Sequence, residues 1–256
     1  MNAKLLRKVP QVTLLFWVIK LLTTAMGEST SDFLVFQFNP YAAVILGFVV
    51  FVGVLFLQFR TKRYIPLVYW LAVLMVAIFG TMAADVMHVV IGIPYLVTTI
   101  AFAILLGIVF YLWKTTEGTL SIHSITTTRR ELFYWATVLT TFALGTAAGD
   151  LFAYTFKLGF LSAGIIFAGL FIVPALGFFL LKWNPIFSFW FAYIMTRPLG
   201  ASFADWTGKA HSLGALGWGD GPVAGVLFLL IIICVVYLQI THEDVDKSPA
   251  ISSSTR

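Results

Sequence analysis

Apolar and polar positions divide the chain into eight long apolar runs: 9–31, 41–59, 65–87, 95–113, 132–154, 160–181, 185–205 and 222–240. Each is close to the roughly 20 residues that a helix needs to cross a bilayer. Asn39-Pro40, Ile93-Pro94, Asn184-Pro185 and Gly221-Pro222 mark four of the starts, because proline is tolerated in a first helical turn. The pattern predicts an all-α membrane protein of eight transmembrane helices in a single integral domain.

The polar and small positions inside these runs recur. An aromatic residue and Trp are followed by nine residues, Gly, three residues, a small residue and Asp. Phe16-Trp17 leads to Gly27, Ser31 and Asp32. Tyr69-Trp70 leads to Gly80, Ala84 and Asp85. Tyr134-Trp135 leads to Gly145, Gly149 and Asp150, and Phe189-Trp190 to Gly200, Ala204 and Asp205. Four ungapped copies at a period of roughly 55 residues are an internal repeat. The repeats are placed at 8–60, 61–115, 128–182 and 183–241, followed by a polar tail, 242–256, expected to stay unfolded. Two spans per repeat give every copy the same orientation. The four two-helix repeats are therefore parallel, about an axis along the membrane normal. A pseudo-fourfold or nested twofold bundle is the simplest arrangement.

Composition agrees: 60% of residues are hydrophobic, 11% are charged, and the mean hydropathy is +0.97. A soluble domain would carry about a quarter charged residues. The single cysteine, Cys234, excludes an intramolecular disulfide. Lys4, Arg7 and Lys8 before an apolar stretch resemble a signal peptide. Lys20 interrupts that stretch, and the first repeat begins in it, so it is read as a retained helix. The pI near 9.4 comes from basic loops and implies no nucleic-acid partner. Of sixteen Lys and Arg, twelve lie in the N-terminus, the even-numbered loops and the tail; only Lys157 and Lys209 lie on the other side. That imbalance places both termini in the cytoplasm. The loop 115–130 joins the two halves and reads as a solvated linker.

Residues four apart share a helix face. Gly27, Gly80, Gly145 and Gly200, each with a small residue four later, form stripes that let helix backbones approach closely in lipid. Thr23, Thr141 and Thr196 extend three of them. Leucine is expected not to fit such a stripe, and alanine to be tolerated better. The aspartates point off the stripe, with Glu28, Thr81 and Thr146 one turn before three of them and His88 beside Asp85. Asp32, Asp85, Asp150, Asp205, Glu28, Thr81, Thr146 and His88 are thus candidates for a shared cation site near the outer boundary. A carboxylate ending a helix opposes the helix dipole, so compensation by a partner cation, a bound metal or a cap on the following segment is expected there. Lys20 and Arg197 sit midway along their helices, where a charge faces the protein interior or a cavity. They are read as an internal ion pair, a tethered cation gating the acidic site, or a counter-ion for an anionic substrate. The repeat tryptophans are read as interfacial anchors.

The chain lacks a nucleotide loop, His-Glu-x-x-His, Cys-x-x-Cys and Gly-x-Ser-x-Gly, so an enzyme is the least favoured class. The expected function is transport or permeation of a small cation, either a hard divalent metal such as Mn²⁺ or Mg²⁺ or a proton. A non-transporting membrane scaffold, and an anion or small-metabolite carrier using Lys20 and Arg197, stand as alternatives. No cofactor is named beyond a divalent metal ion. The bilayer is the one partner expected outright; the oligomeric state is open.

Ser121-Ile122-His123-Ser124-Ile125, Arg129-Arg130-Glu131, Phe133-Tyr134-Trp135, Gly145-Thr146-Ala147-Ala148-Gly149-Asp150 and Thr196-Arg197-Pro198-Leu199-Gly200-Ala201 carry a resemblance. Over most of its length the chain resembles a family of bacterial inner-membrane proteins described only as uncharacterised membrane-anchored proteins. The resemblance implies a bacterial source and a multi-pass inner-membrane location. It transfers no catalytic or binding residue.

Overall fold

The computed structural model describes residues 7–245, and these are helical throughout, without strands. The tail expectation beyond residue 245 lies outside the described residues. Eight α-helices follow in order: α1 Leu14–Gln37, α2 Pro40–Arg60, α3 Pro66–Asp85, α4 Tyr95–Glu117, α5 Thr128–Asp150, α6 Phe160–Leu181, α7 Pro185–Gly208 and α8 Asp220–Thr241. The Asn-Pro starts have a local cause. The Asn39 side chain accepts the N–H groups of Tyr41 and Ala42, and Asn184 those of Ile186 and Phe187. The following proline needs no such partner.

Helix α1 starts five residues later than the apolar run and extends to Gln37, because Thr13 caps it and the run after Asp32 stays helical. After α3 and α5 the chain continues through π-helical turns, Val86–Val90 and Leu151–Thr155. The repeat aspartates therefore do not end their helices, contrary to the sequence reading. Helical backbone runs past all four, so the dipole argument loses its force.

Helices α1, α3, α5 and α7 form an inner ring: α1 packs on α3, α3 on α5, α5 on α7, and α7 on α1. Each outer helix leans chiefly on the inner helix of the next repeat: α2 on α3, α4 on α5, α6 on α7, and α8 on α1. The ring closes with pseudo-fourfold order. The outer helices bury only 17–22% of their most apolar stretches, against 72% for α3 and 67% for α5, each with its π-helical turn. Helices apolar all round and open outward suit a hydrocarbon surrounding. Among the described residues, six helices are long and apolar enough to cross a membrane: α2, α4, α6, α8, and α3 and α5 with their π-helical turns. The two that carry axial charges, α1 and α7, are not among them.

The glycines set the ring. Gly27 faces Ala77, Gly80 faces Phe142, Gly145 faces Arg197, and Gly200 faces Thr24. Each meets the residue three before the next repeat's glycine, around the whole circle. A Cβ on any of the four would fall under 3.0 Å from its neighbour. At Gly27 and Gly200 the neighbours include backbone atoms, so even alanine would fit there only with a shift of the backbone.

Nearer the helix starts, an aromatic belt closes in the same order. Ring centroids lie 5.6 Å apart for Phe16–Trp70, 5.7 Å for Tyr69–Trp135, 6.3 Å for Tyr134–Trp190 and 5.7 Å for Trp17–Phe189. Trp70, Trp135 and Trp190 are buried. The repeat tryptophans are thus inter-repeat core packing rather than interfacial anchors. The half-linking loop is also no solvated strand. Ile122 and Ile125 are buried, Trp190 donates to the Leu120 carbonyl at 2.9 Å, and Arg129 and Arg130 both pair with Glu117.

Gly145→Leu and Gly200→Leu are expected to remove most folded protein from membranes. Gly27→Ala should lower stability by about 1–3 kcal/mol through overpacking. Gly107→Ala, on an open face of α4, should leave stability level or slightly raised. Thermal unfolding in detergent gives the order. An equal loss at Gly27 and Gly107 would assign the effect to something other than helix contact.

Candidate functional site

Arg197 lies three residues before Gly200 on α7 and is 0% exposed. Its aliphatic stem fills the space that Gly145 leaves. Its Nη2, with two N–H groups, is shared among three acceptors, Glu28 Oε2 at 2.5 Å, Thr146 Oγ1 at 2.7 Å and Thr81 Oγ1. Its Nη1 donates to the Thr24 carbonyl at 3.2 Å. Glu28, Thr81 and Thr146 each follow their repeat's glycine. The pseudo-fourfold order thus brings three inner helices to one guanidinium on the fourth, where the equivalent residue is Ala201. A charge at this depth is costly unless neutralised and hydrogen-bonded. Here Glu28 neutralises it and four acceptors surround its Nη groups, while its buried Nε has no hydrogen-bond partner among the described residues.

Lys20 lies eight residues before Glu28, about 12 Å along α1. It is 1% exposed, and its ammonium has no hydrogen-bond partner. It rests 3.9 Å from the Phe142 ring centroid and 4.3 Å from that of Tyr193. Aromatic faces attract a cation, more strongly when water is excluded. The Arg197 guanidinium stands 5.4 Å from the same Phe142 ring. Phe142 therefore borders both buried cations. Nearby, the hydroxyls of Tyr69 and Tyr134 share a hydrogen bond.

At the other end of α1, Lys209 donates to Asp32 and lies 3.8 Å from Asp205. Among the described residues, carboxylate oxygens of Glu28, Asp32 and Asp205 all lie within 4.8 Å of one another. Asp85 and Asp150 are half-buried, and the charges of Glu28 and Asp32 act on both. Asp220 stands within the field of Lys209 and Glu28. Six carboxylates thus share this vestibule with two cations, Lys209 and Arg197. Burial works against the Lys209 ammonium, but Asp205 and Asp32 outweigh it and raise its pKa above the ordinary lysine value. It stays protonated at neutral pH.

The structure therefore divides the predicted set. Asp32, Asp85, Asp150, Asp205 and Glu28 share one electrostatic neighbourhood. Glu28, Thr81 and Thr146 are engaged by Arg197. His88 is engaged otherwise: its Nδ1 lies 2.7 Å from the Ile93 carbonyl, and its ring stacks on Tyr95, which stands in the field of Asp150, Asp85 and Asp205. Arg197 takes the internal ion-pair role with Glu28; Lys20 does not. Thr23, Thr141 and Thr196 are buried and bond to carbonyls of their own helices. Sequence reasoning missed Lys209 as a member of the site. The signal was there, because Lys209 follows Asp205 by four residues, one helical turn. It also missed Phe142 and Tyr193, which read as ordinary core aromatics.

No curated protein and no solved structure matches the chain. A repeat family, described as Repeat of Unknown Function (DUF347), matches it four times, at residues 15–64, 68–119, 133–182 and 188–243. These matches cover well over half of the chain, one to each copy of the aromatic-Trp, Gly and Asp pattern. The protein belongs to this repeat family, with four copies closed into one ring.

Proposed function

We propose that the protein is a carrier for a small cation, with the acidic vestibule as its binding site and Lys209 as a tethered competitor. One observation carries this reading: an ammonium group of the protein itself bridges the vestibule carboxylates Asp32 and Asp205. Oxygen donors that accept an ammonium also suit a hard divalent ion such as Mn²⁺ or Mg²⁺, or a proton. The reading favours a carrier over an open channel. A cation moving along the axis would meet Arg197 and then Lys20, and repulsion between unit charges 4 Å apart is about 4 kcal/mol at an effective dielectric of 20. Passage needs those charges displaced or compensated.

In this reading all eight helices cross a bacterial inner membrane. The charges of α1 and α7 are tolerated because they face the axis. The basic-residue imbalance puts the vestibule outside and both termini inside. Lys20, without a hydrogen-bond partner, supports a second reading, a carrier for an anion or small anionic metabolite. The protein is read as no enzyme.

Orientation is checked by reporter fusions. Those after Thr61, Glu117 and His242 should read cytoplasmic, and those near Asn39, Ile91 and Gly219 external. A C-terminus outside would put the vestibule on the wrong side for uptake.

The binding site is checked by thermal unfolding of purified protein titrated with Mn²⁺, Mg²⁺ and Na⁺ and across pH. Lys209→Met should lower stability by about 1.5–3 kcal/mol, the scale of a lost charged hydrogen bond. A cation should restore it, since a ligand at 100 times its Kd adds about 2.7 kcal/mol. Asp85→Asn and Asp150→Asn should weaken the cation response without loss of membrane abundance, and together should cost less than the sum of the two. If Lys209→Met is destabilised and no cation rescues it, the carboxylates are structural and the chain is a scaffold. If anions stabilise instead and Lys20→Met removes that effect, the second reading holds.

A further inference from the structure

A cavity of about 670 Å³ lies on the outside of the ring, between the start of α1, α6, the start of α7 and the half-linking loop. It is separate from the vestibule and does not depend on the cation reading. Three observations make it a built site rather than a packing gap.

The pseudo-fourfold order gives four equivalent grooves, each between an outer helix and the inner helix two repeats on. Across the first, Gln58 of α2 bonds to Glu131 of α5 at 2.9 Å. Across the second, Phe110 and Trp113 of α4 pack on Trp190 of α7, at 5.2 and 5.7 Å. Across the third, α8 packs on α3. In the fourth, α6 meets α1 through Phe171 on Trp17, at 5.6 Å, and beside that contact the cavity opens.

The residues there depart from the repeat. Pro174 lies inside α6 and lines the cavity. A proline within a helix removes a backbone hydrogen bond and is the usual cause of a kink. Ser188 precedes the repeat aromatic, where the other copies have Leu15, Val68 and Phe133. Ser188 lines the cavity, and its hydroxyl is buried and has no hydrogen-bond partner among the described residues. A buried hydroxyl without a partner calls for one.

The lining also defines the occupant. Among the described residues no Lys, Arg, Asp or Glu lines the cavity, so a charged headgroup would enter without compensation from them. Its polar groups are the hydroxyls of Thr13, Ser121 and Ser188 and the imidazole of His123. The faces of Trp17, Phe171 and Phe189 suit a flat ring. Leu14 and Phe179, 82% and 77% exposed, stand at the mouth, which opens toward the apolar surroundings. We infer that this cavity binds a neutral, membrane-dissolved quinone. Ser188 donates to a ring carbonyl, and the apolar tail leaves past Phe179.

The test uses the full chain in nanodiscs, with decylubiquinone and a short-chain menaquinone as probes. Tryptophan fluorescence and thermal stability are the readouts. Saturable quenching and stabilisation are expected. Ser188→Ala should weaken binding about three- to tenfold, as one hydrogen bond does. Ala175→Trp should fill the cavity and abolish saturable binding, while Ile104→Trp, on the exposed face of α4, should leave it unchanged. Should Ala175→Trp fail to fold, Ser188→Ala decides. Non-saturable partition alone, or equal binding to wild type and Ser188→Ala, overturns the proposal. So does equal competition by dioleoylglycerol, which has carbonyls but no ring, or by oleate, whose head is charged.

Discussion

One guanidinium constrains the whole bundle. Arg197 is fully buried, and a charge at that depth must be neutralised and its donors satisfied. Removing one partner of such a buried pair costs about 3–5 kcal/mol. Glu28, Thr81 and Thr146 can reach the same nitrogen only if α1, α3 and α5 approach α7 at one depth. The glycines permit that approach, and Gly27, Gly80 and Gly145 are each placed one residue before the polar group that must arrive. The position after the glycine is free to vary in chemistry; the glycine is not free to gain a side chain. The outer helices carry none of this burden, which is why their sequences are so uniformly apolar.

The two cations of the vestibule differ in kind. Arg197 is planar, permanently charged and held by four acceptors, so it acts as a fixed keystone. Lys209 is a point charge on a flexible stem at the end of α7, and it shares two carboxylates without a fork of fixed bonds. In the proposed carrier reading, an incoming cation would replace an ammonium of that kind far more easily than it would replace Arg197. Asp85 and Asp150 form no ion pair among the described residues. The vestibule thus has a compensated side, from the first and fourth repeats, and an uncompensated side, from the second and third.

Much of this was legible from the chain alone. The glycines, the aspartates and the fourfold count follow from spacing, and each glycine stands in a contact between helices. What spacing cannot carry is the order of neighbours. Nothing in the run from Phe16 to Asp32 says that Gly27 meets Ala77 rather than a residue of its own hairpin. The tryptophans were misplaced for the same reason. A Trp in the first turns of a helix reads alike whether it points to lipid headgroups or to the next repeat. The half-linking loop looked solvated because Ser and Thr outnumber its two buried isoleucines. Lys209 was counted only as a loop charge, since its partner Asp32 lies on the first repeat and the contact exists only once the ring has closed.

The departures from the repeat follow from electrostatics. Four identical copies would place four copies of each axial residue around one axis. Four arginines at the depth of Arg197 would stand a few ångströms apart, and each pair at 4 Å would repel by about 4 kcal/mol even at an effective dielectric of 20. Four glutamates at the Glu28 position would do the same. A single Arg–Glu pair, with threonines completing the shell, can exist only if the copies differ at those positions: Glu28, Thr81, Thr146 and Ala201 at one level, and Thr24, Ala77, Phe142 and Arg197 at the other. Steric demands act in the opposite direction, because every inter-helix seam is equally close and every copy needs its glycine. The sequence therefore keeps its fourfold identity where backbones touch and abandons it at the depth of the buried Arg197–Glu28 pair, while the four aspartates at the vestibule keep it. Lys20, Ser188, Arg197 and Lys209 each stand where the other copies carry a different residue type.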